Sequence, residues 1–190
     1  MAPPSHVLSI LLISPLILAM VGPSLSCPCT CESELNWRLY LEQVTVGQDY
    51  NQETIISASQ KAFGLFGTTI VNDWTLKDAP TPNAKVVGRA QGVHILSDRA
   101  NVAWYTSLNM VFKGDRFDGS TLQVMGALPP TGEWAIVGGT GNLTMARGTI
   151  KHRGAGVAGF RELDIHAFYN SNSGYCSGTV IVAKTSAQDK

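Results

Sequence analysis

A strict two-residue alternation constrains this chain most, and it is clearest in VAWYTSLNMVF at 102–112. Val102, Trp104, Thr106, Leu108, Met110 and Phe112 fall on one face; Ala103, Tyr105, Ser107, Asn109 and Val111 fall on the other. Only an extended strand sends successive side chains to opposite faces, and the β-branched and aromatic content suits a strand. Similar runs occupy 37–44, 54–59, 67–73, 86–96, 121–125, 135–137, 143–151 and 161–169, and no helical periodicity of useful length competes with them. Turn-forming stretches separate the runs: DAPTPN at 78–83, KGDRFDGS at 113–120, LPPTG at 128–132 and NSNSG at 170–174. Eight or nine short strands punctuated in this way predict an all-β sandwich or barrel. Residues 177–190 read as an extra strand or a loose tail. Neither an internal repeat of fixed period nor a domain boundary interrupts the pattern.

The first 26 residues contain no Lys, Arg, Asp or Glu, and their apolar run at 7–21 is broken by Ser9, Ser14 and Pro15. That run is too short and interrupted for a membrane span, and small residues, Ser24 and Ser26, precede a cut before Cys27. The segment 1–26 is therefore expected to be a secretory signal peptide, leaving a secreted chain with no membrane attachment. An N-terminal arm at 27–36, one domain at 37–169 and a C-terminal segment at 170–190 are expected to follow. The 14 Lys and Arg balance the 14 Asp and Glu, and no basic stripe exists, which argues against nucleic acid. Cys27, Cys29, Cys31 and Cys176 suggest disulfides in a secreted chain. Cys176 is expected to tie the C-terminal segment to the N-terminal one, with Cys31 the first choice of partner because it is nearest the first strand. The pairing of Cys27 and Cys29 stays open. No second ligand pair sits nearby at metal-binding spacing, so no metal is expected.

The stretch IVGGTGNLTMARG at 136–148 has the look of a phosphate loop but lacks its parts. No Lys-Ser/Thr follows the glycines, and the run after Gly141 is strand-like rather than helical, so neither nucleotide-binding pattern is met. Two strands joined through glycines fit better, because glycine permits positive φ and close backbone approach. Asn142-Leu143-Thr144 is also the only N-x-[ST] sequon in the chain and a candidate glycan acceptor.

Four ordered blocks carry a resemblance: LFGTTIVNDWTL at 65–76, VGRAQG at 87–92, GSTLQVMG at 119–126 and IVGGTGNLTMARG at 136–148. Together they resemble the dirigent family of plants over roughly 37–169. The finer wording is most similar to the dirigent half of grass dirigent–jacalin chimeric proteins, and no jacalin module follows within these residues. The resemblance implies an eight-stranded antiparallel β-barrel of the dirigent/allene-oxide-cyclase type, secreted to the apoplast as a homodimer or homotrimer. It implies a non-oxidising, stereodirecting auxiliary rather than an enzyme, working without a cofactor. A separate laccase or peroxidase would make phenoxy radicals from monolignols such as coniferyl alcohol, and the barrel would hold them so that coupling gives one stereoisomer.

The family pattern has an aspartate pair here matched by Asp73 and Trp74, a second acid after GGTG here replaced by Asn142, and an arginine matched by Arg147. Asp73 is thus the candidate pocket acid, with a backbone-bonded turn aspartate as the alternative, and Arg147 the candidate cation for a phenolate or carboxylate. Asn142 is carried as both a ligand-binding and a glycosylation candidate; if it bears glycan it must face solvent. Stereoselective members carry aromatics where this chain has His94 and Leu96, and these two join Trp104 as candidate pocket walls. Trp104 and Tyr105 face opposite ways, so only one of them can line a pocket. The runner-up function is a secreted carbohydrate-binding defence module without coupling activity, in which aromatic, Asn, Asp and His groups would contact a sugar. No GxSxG or HExxH motif supports a nucleophilic or metal enzyme.

Overall fold

The computed structural model describes residues 32–57, 65–114, 117–170 and 180–183. Their strands are β1 (Glu32–Glu42), β2 (Gln52–Ile56), β3 (Thr69–Lys77), β4 (Val86–Leu96), β5 (Trp104–Phe112), β6 (Thr121–Ala127), β7 (Gly132–Thr140), β8 (Arg147–Gly154), β9 (Phe160–Asn170) and β10 (Val180–Ala183). The expected signal segment, its cleavage site and all four cysteines, with the Cys31–Cys176 pairing, lie outside the described residues. No helix among the described residues is long and apolar enough to cross a membrane.

Eight strands close into an antiparallel barrel. β3 through β9 pair each with the next, β9 pairs with β1 along its whole length, and β1 closes on β3 through Tyr40–Lys77, Leu41–Leu76 and Glu42–Thr75. That closing seam is short, and the sheet splays beyond it at both ends. β2 fills one opening by pairing with β3, and β10 fills the other by pairing parallel with β1. Lys77 reinforces the seam: its side chain is buried, Nζ donates to Glu42 Oε1 at 2.9 Å and to the Pro82 carbonyl at 2.8 Å.

The alternation read from the sequence sets what faces inward. Thr106, Leu108, Met110 and Phe112 of β5 are buried, as are Leu35, Leu39 and Leu41 of β1 and Leu163, Ile165, Ala167 and Tyr169 of β9. Each fully buried leucine contributes on the order of 2 kcal/mol through apolar area removed from water. One end of the barrel is filled by aromatic rings, with Trp37 against Phe112 at 5.1 Å and Phe117 against Tyr169 at 6.1 Å between centroids. The other end, where the β4–β5, β6–β7 and β8–β9 connections lie, has a more polar lining.

The glycine stretch forms the corner between β7 and β8. A 3-10 turn at Gly141–Leu143 follows β7 and buries Leu143 completely. β8 then starts at Arg147, four residues later than the sequence pattern suggests, because Leu143 leaves the strand to plug the barrel. Gly148 sits at φ +149, and a Cβ there would lie 2.1 Å from the His166 carbonyl oxygen. Only glycine allows β8 to approach β9 so closely. A second difference concerns the start of the barrel. The expected arm at 27–36 is strand from Glu32 onward, paired with β9 from Asn170 to His166. The expected extra strand near the C-terminus exists as β10.

Candidate functional site

β3, β4 and β5 put Asn72, Trp74, His94, Leu96, Trp104 and Thr106 on the inner surface of the more polar end. Asn72, Trp74, His94, Leu96 and Thr106 are buried, and Trp104 is half-buried. The His94 ring stacks on Trp74 with centroids 5.3 Å apart and planes at 30°, and meets the edge of Trp104 at 5.2 Å and 69°. Gln52 of β2 fixes the indole of Trp74, whose Nε1 donates to Gln52 Oε1 at 2.9 Å. Asn72 Nδ2 donates to the Ala90 carbonyl at 3.0 Å, and Asn72 Oδ1 lies 3.4 Å from His94 Nδ1. Burial holds the His94 imidazole neutral, with its pKa pushed down to about 4.

A second histidine faces inward from β8. His152 is buried, packs on Trp134 at 4.2 Å, and lies 2.7 Å through Nδ1 from Arg161 Nη1. Arg161 has no lone pair to offer, so Nδ1 accepts and the proton of the neutral ring sits on Nε2. Burial, with the neighbouring Arg161 charge adding to it, lowers this pKa to about 4 as well. Arg161 Nη1 also donates to the carbonyls of Pro129 and Pro130, at 3.1 and 3.2 Å, so this cluster clamps the β6–β7 loop onto the barrel end. His152 Nε2 and Arg161 Nε are sealed from solvent, and neither makes a well-formed hydrogen bond among the described residues.

Three expected site residues are elsewhere. Asp73 alternates with the buried Asn72 and Trp74 and therefore faces outward, where Arg89 Nε donates to its Oδ1 at 2.9 Å. That hydrogen bond holds the Asp73 carboxyl below its ordinary range. Arg147 is also on the outer surface. It is paired with Glu32 and lies 5.6 Å from the Phe168 ring centroid. Asp73 and Arg147 thus have separate partners on the outside and do not meet in a pocket. Asn142 is exposed on the 3-10 corner, its backbone N–H donating to Ser120 Oγ at 3.0 Å, so it is not a lumen residue either. His94, Leu96 and Trp104 do face inward, and Tyr105 takes the opposite face of β5, as the alternation requires. Among the described residues, no aspartate or glutamate is buried. The inward polar set is therefore neutral amide, hydroxyl and imidazole, with Arg161 at its margin.

Asn72, Gln52 and the His152–Arg161 pair were not singled out from the sequence. Parity with Leu76 places Asn72 and Trp74 inward, and that signal was available. Gln52 meets Trp74 across 22 residues, which only the β2–β3 register reveals.

The model of the dirigent-like protein family matches residues 35–168. The chain belongs to the dirigent family. Among curated dirigent relatives, it is 36% identical to pterocarpan synthase 1 of Glycine max over 46% of this chain and 50% of that one. It is 36% identical to dirigent protein 23 of Arabidopsis thaliana over 47% and 50% of the two chains, and 31% identical to pterocarpan synthase 1 of Glycyrrhiza echinata over 57% and 61%. The chain spans about half the length of the first of these relatives. A solved pterocarpan synthase dirigent structure superposes with a TM-score of 0.68 at 28% identity, covering 74% of this chain and 87% of that one. Because synthases stand among its relatives, dirigent membership alone does not make this chain a non-enzyme.

Proposed function

We propose that this dirigent protein is secreted to the apoplast and directs the stereochemistry of phenoxy-radical coupling. Its barrel lumen holds the radicals, or the quinone methide they form, derived from monolignols such as coniferyl alcohol. A separate laccase or peroxidase supplies the oxidation, and the barrel supplies position. The observation that supports this reading is the inward aromatic wall of Trp74, His94 and the half-buried Trp104, held in place by Asn72 and Gln52. Aromatic faces take a phenolic ring by stacking, and a fixed polar edge sets which way the ring points. Holding two reactive rings in one geometry is enough to select one product face. A homodimer or homotrimer is part of the proposal. The similarity to pterocarpan synthases supports a pterocarpan as a second product class for the same lumen.

A carbohydrate-binding role is the other reading, and one feature favours it. An open groove of about 580 Å³ lies beside the splayed seam, lined by Thr45, Val46, Gly47, Tyr50, Gln52, Glu53, Thr54 and Ile70. Tyrosine, amide, carboxylate and hydroxyl groups are the set a sugar needs. Coupling of coniferyl alcohol by a laccase in the presence of the purified protein, resolved by chiral chromatography, separates the readings. An enantiomeric excess supports the radical-directing role; a racemic mixture at saturating protein removes it and makes glycan binding the next assay.

A further inference from the structure

Arg161 projects inward from β9, on the same face as the buried Leu163 and Ile165, and lies opposite Leu41 of β1. Its partners set it apart from the outer arginines. Arg38, Arg89, Arg147 and Arg153 each bind a carboxylate. Arg161 binds none among the described residues; its contacts are the carbonyls of Pro129 and Pro130 and His152 Nδ1. All three acceptors are neutral, and all three share Nη1, which has only two hydrogens. Nε is sealed from solvent, whereas Nη2 has no partner among the described residues and is not sealed. Desolvation pulls the pKa of Arg161 down, yet a guanidinium in a protein stays charged. The polar end of the barrel thus holds a half-buried positive charge that, among the described residues, no carboxylate contacts.

The β6–β7 loop joins this charge to the aromatic wall. Leu128 donates its backbone N–H to the Trp104 carbonyl at 2.9 Å. Pro129 and Pro130 follow it directly and accept from Arg161. Trp104 and Arg161 therefore flank one mouth of the barrel, held to a single short loop.

We infer that Arg161 Nη2 anchors a ligand carboxylate, so that the barrel binds phenylpropanoid acids more tightly than their esters or alcohols. This rests on the reading that the lumen holds phenylpropanoid rings, and it adds the charge of the side arm that the site prefers. With the ring against Trp104, the side arm reaches across the mouth toward β9. A carboxylate there supplies the charge-assisted hydrogen bond that the neutral carbonyls cannot. Oxidation of the phenol leaves the carboxylate in place, so a radical formed from the acid keeps this anchor. An ester or a primary alcohol leaves the guanidinium with neutral partners only. The difference corresponds to about tenfold or more in affinity.

The test compares ferulate, methyl ferulate and coniferyl alcohol, which share one phenol ring, binding each to the full protein at neutral pH and following tryptophan fluorescence. The expected result is a preference of about tenfold or more for ferulate, lost in Arg161→Gln and kept in Arg89→Gln, which removes an outer cation. Equal affinity for the three ligands in the wild type, or an unchanged preference in Arg161→Gln, overturns the inference and leaves the lumen reading standing. Failure of all three to bind overturns the lumen reading and the inference with it. Nitrogen NMR of the arginine side chains locates the contact in the wild type, whether or not the variant folds. The Arg161 signals should move with ferulate and stay with methyl ferulate, and Arg161 signals that ignore ferulate contradict the inference.

Discussion

Asp73 on β3 and Arg89 on β4 bind each other on the outside of the barrel, Arg89 Nε donating to Asp73 Oδ1 at 2.9 Å and Nη2 to the Asp73 carbonyl at 3.0 Å. Both side chains are nearly half exposed. Exposed pairs of this kind contribute little, so Asp73→Ala should lower stability by no more than about 1 kcal/mol. Ligand affinity in the lumen should not change. Urea denaturation and a fluorescence titration of the variant check both statements. A loss of ligand binding with stability intact would place Asp73 back in the site.

The two buried histidines make stability depend on pH. Each has a folded pKa of about 4 against an ordinary value of 6.5. As pH falls below about 6.5 the unfolded chain takes up protons that the folded chain refuses until about pH 4. Stability from this source is therefore full above pH 6.5 and declines through that window, by on the order of 3 kcal/mol per histidine. Urea midpoints measured from pH 7.5 down to 4.5 should fall steadily. His152→Gln with His94→Gln should flatten the profile, and a flat profile in the wild type would contradict the burial of both rings.

Gly148→Ala should destabilise the barrel by more than about 2 kcal/mol, because the new methyl group meets the His166 carbonyl and the backbone lies at positive φ. Thermal unfolding measures this directly. A small change would mean that β8 and β9 separate at low cost.

Asn142 is exposed at the barrel corner and away from the lumen wall. Expressed through a plant secretory route, the protein should lose one glycan-sized mass increment in Asn142→Gln and keep its ligand affinity. Reduced affinity in that variant would tie the corner to the site.

The strands were legible where alternation was strong. In β5 the predicted inner face and the buried face agree from Thr106 to Phe112. The start of β1 was less visible, because Glu32 and Glu34 put charge on the outer face and only Ser33 and Leu35 mark the inner one. Asp73 shows a different limit. Its neighbours Asn72, Trp74 and Leu76 carry the inward parity, yet the likeness to an aspartate pair suggested the opposite. Parity is a constraint of the backbone, whereas a shared residue type need not keep a shared role. The Gln52–Trp74 and Asn72–His94 contacts join different strands, so they follow from register and not from local pattern.

The central claim is that the inner wall around His94, rather than the outer Asp73, directs coupling. The most direct measurement is the enantiomeric excess of coniferyl alcohol coupling by a laccase in the presence of wild type, His94→Leu and Asp73→Ala, run side by side. The account predicts an excess with the wild type, the same excess with Asp73→Ala, and a racemic product with folded His94→Leu. A racemic product with the wild type, or an excess that Asp73→Ala abolishes and His94→Leu retains, would contradict it.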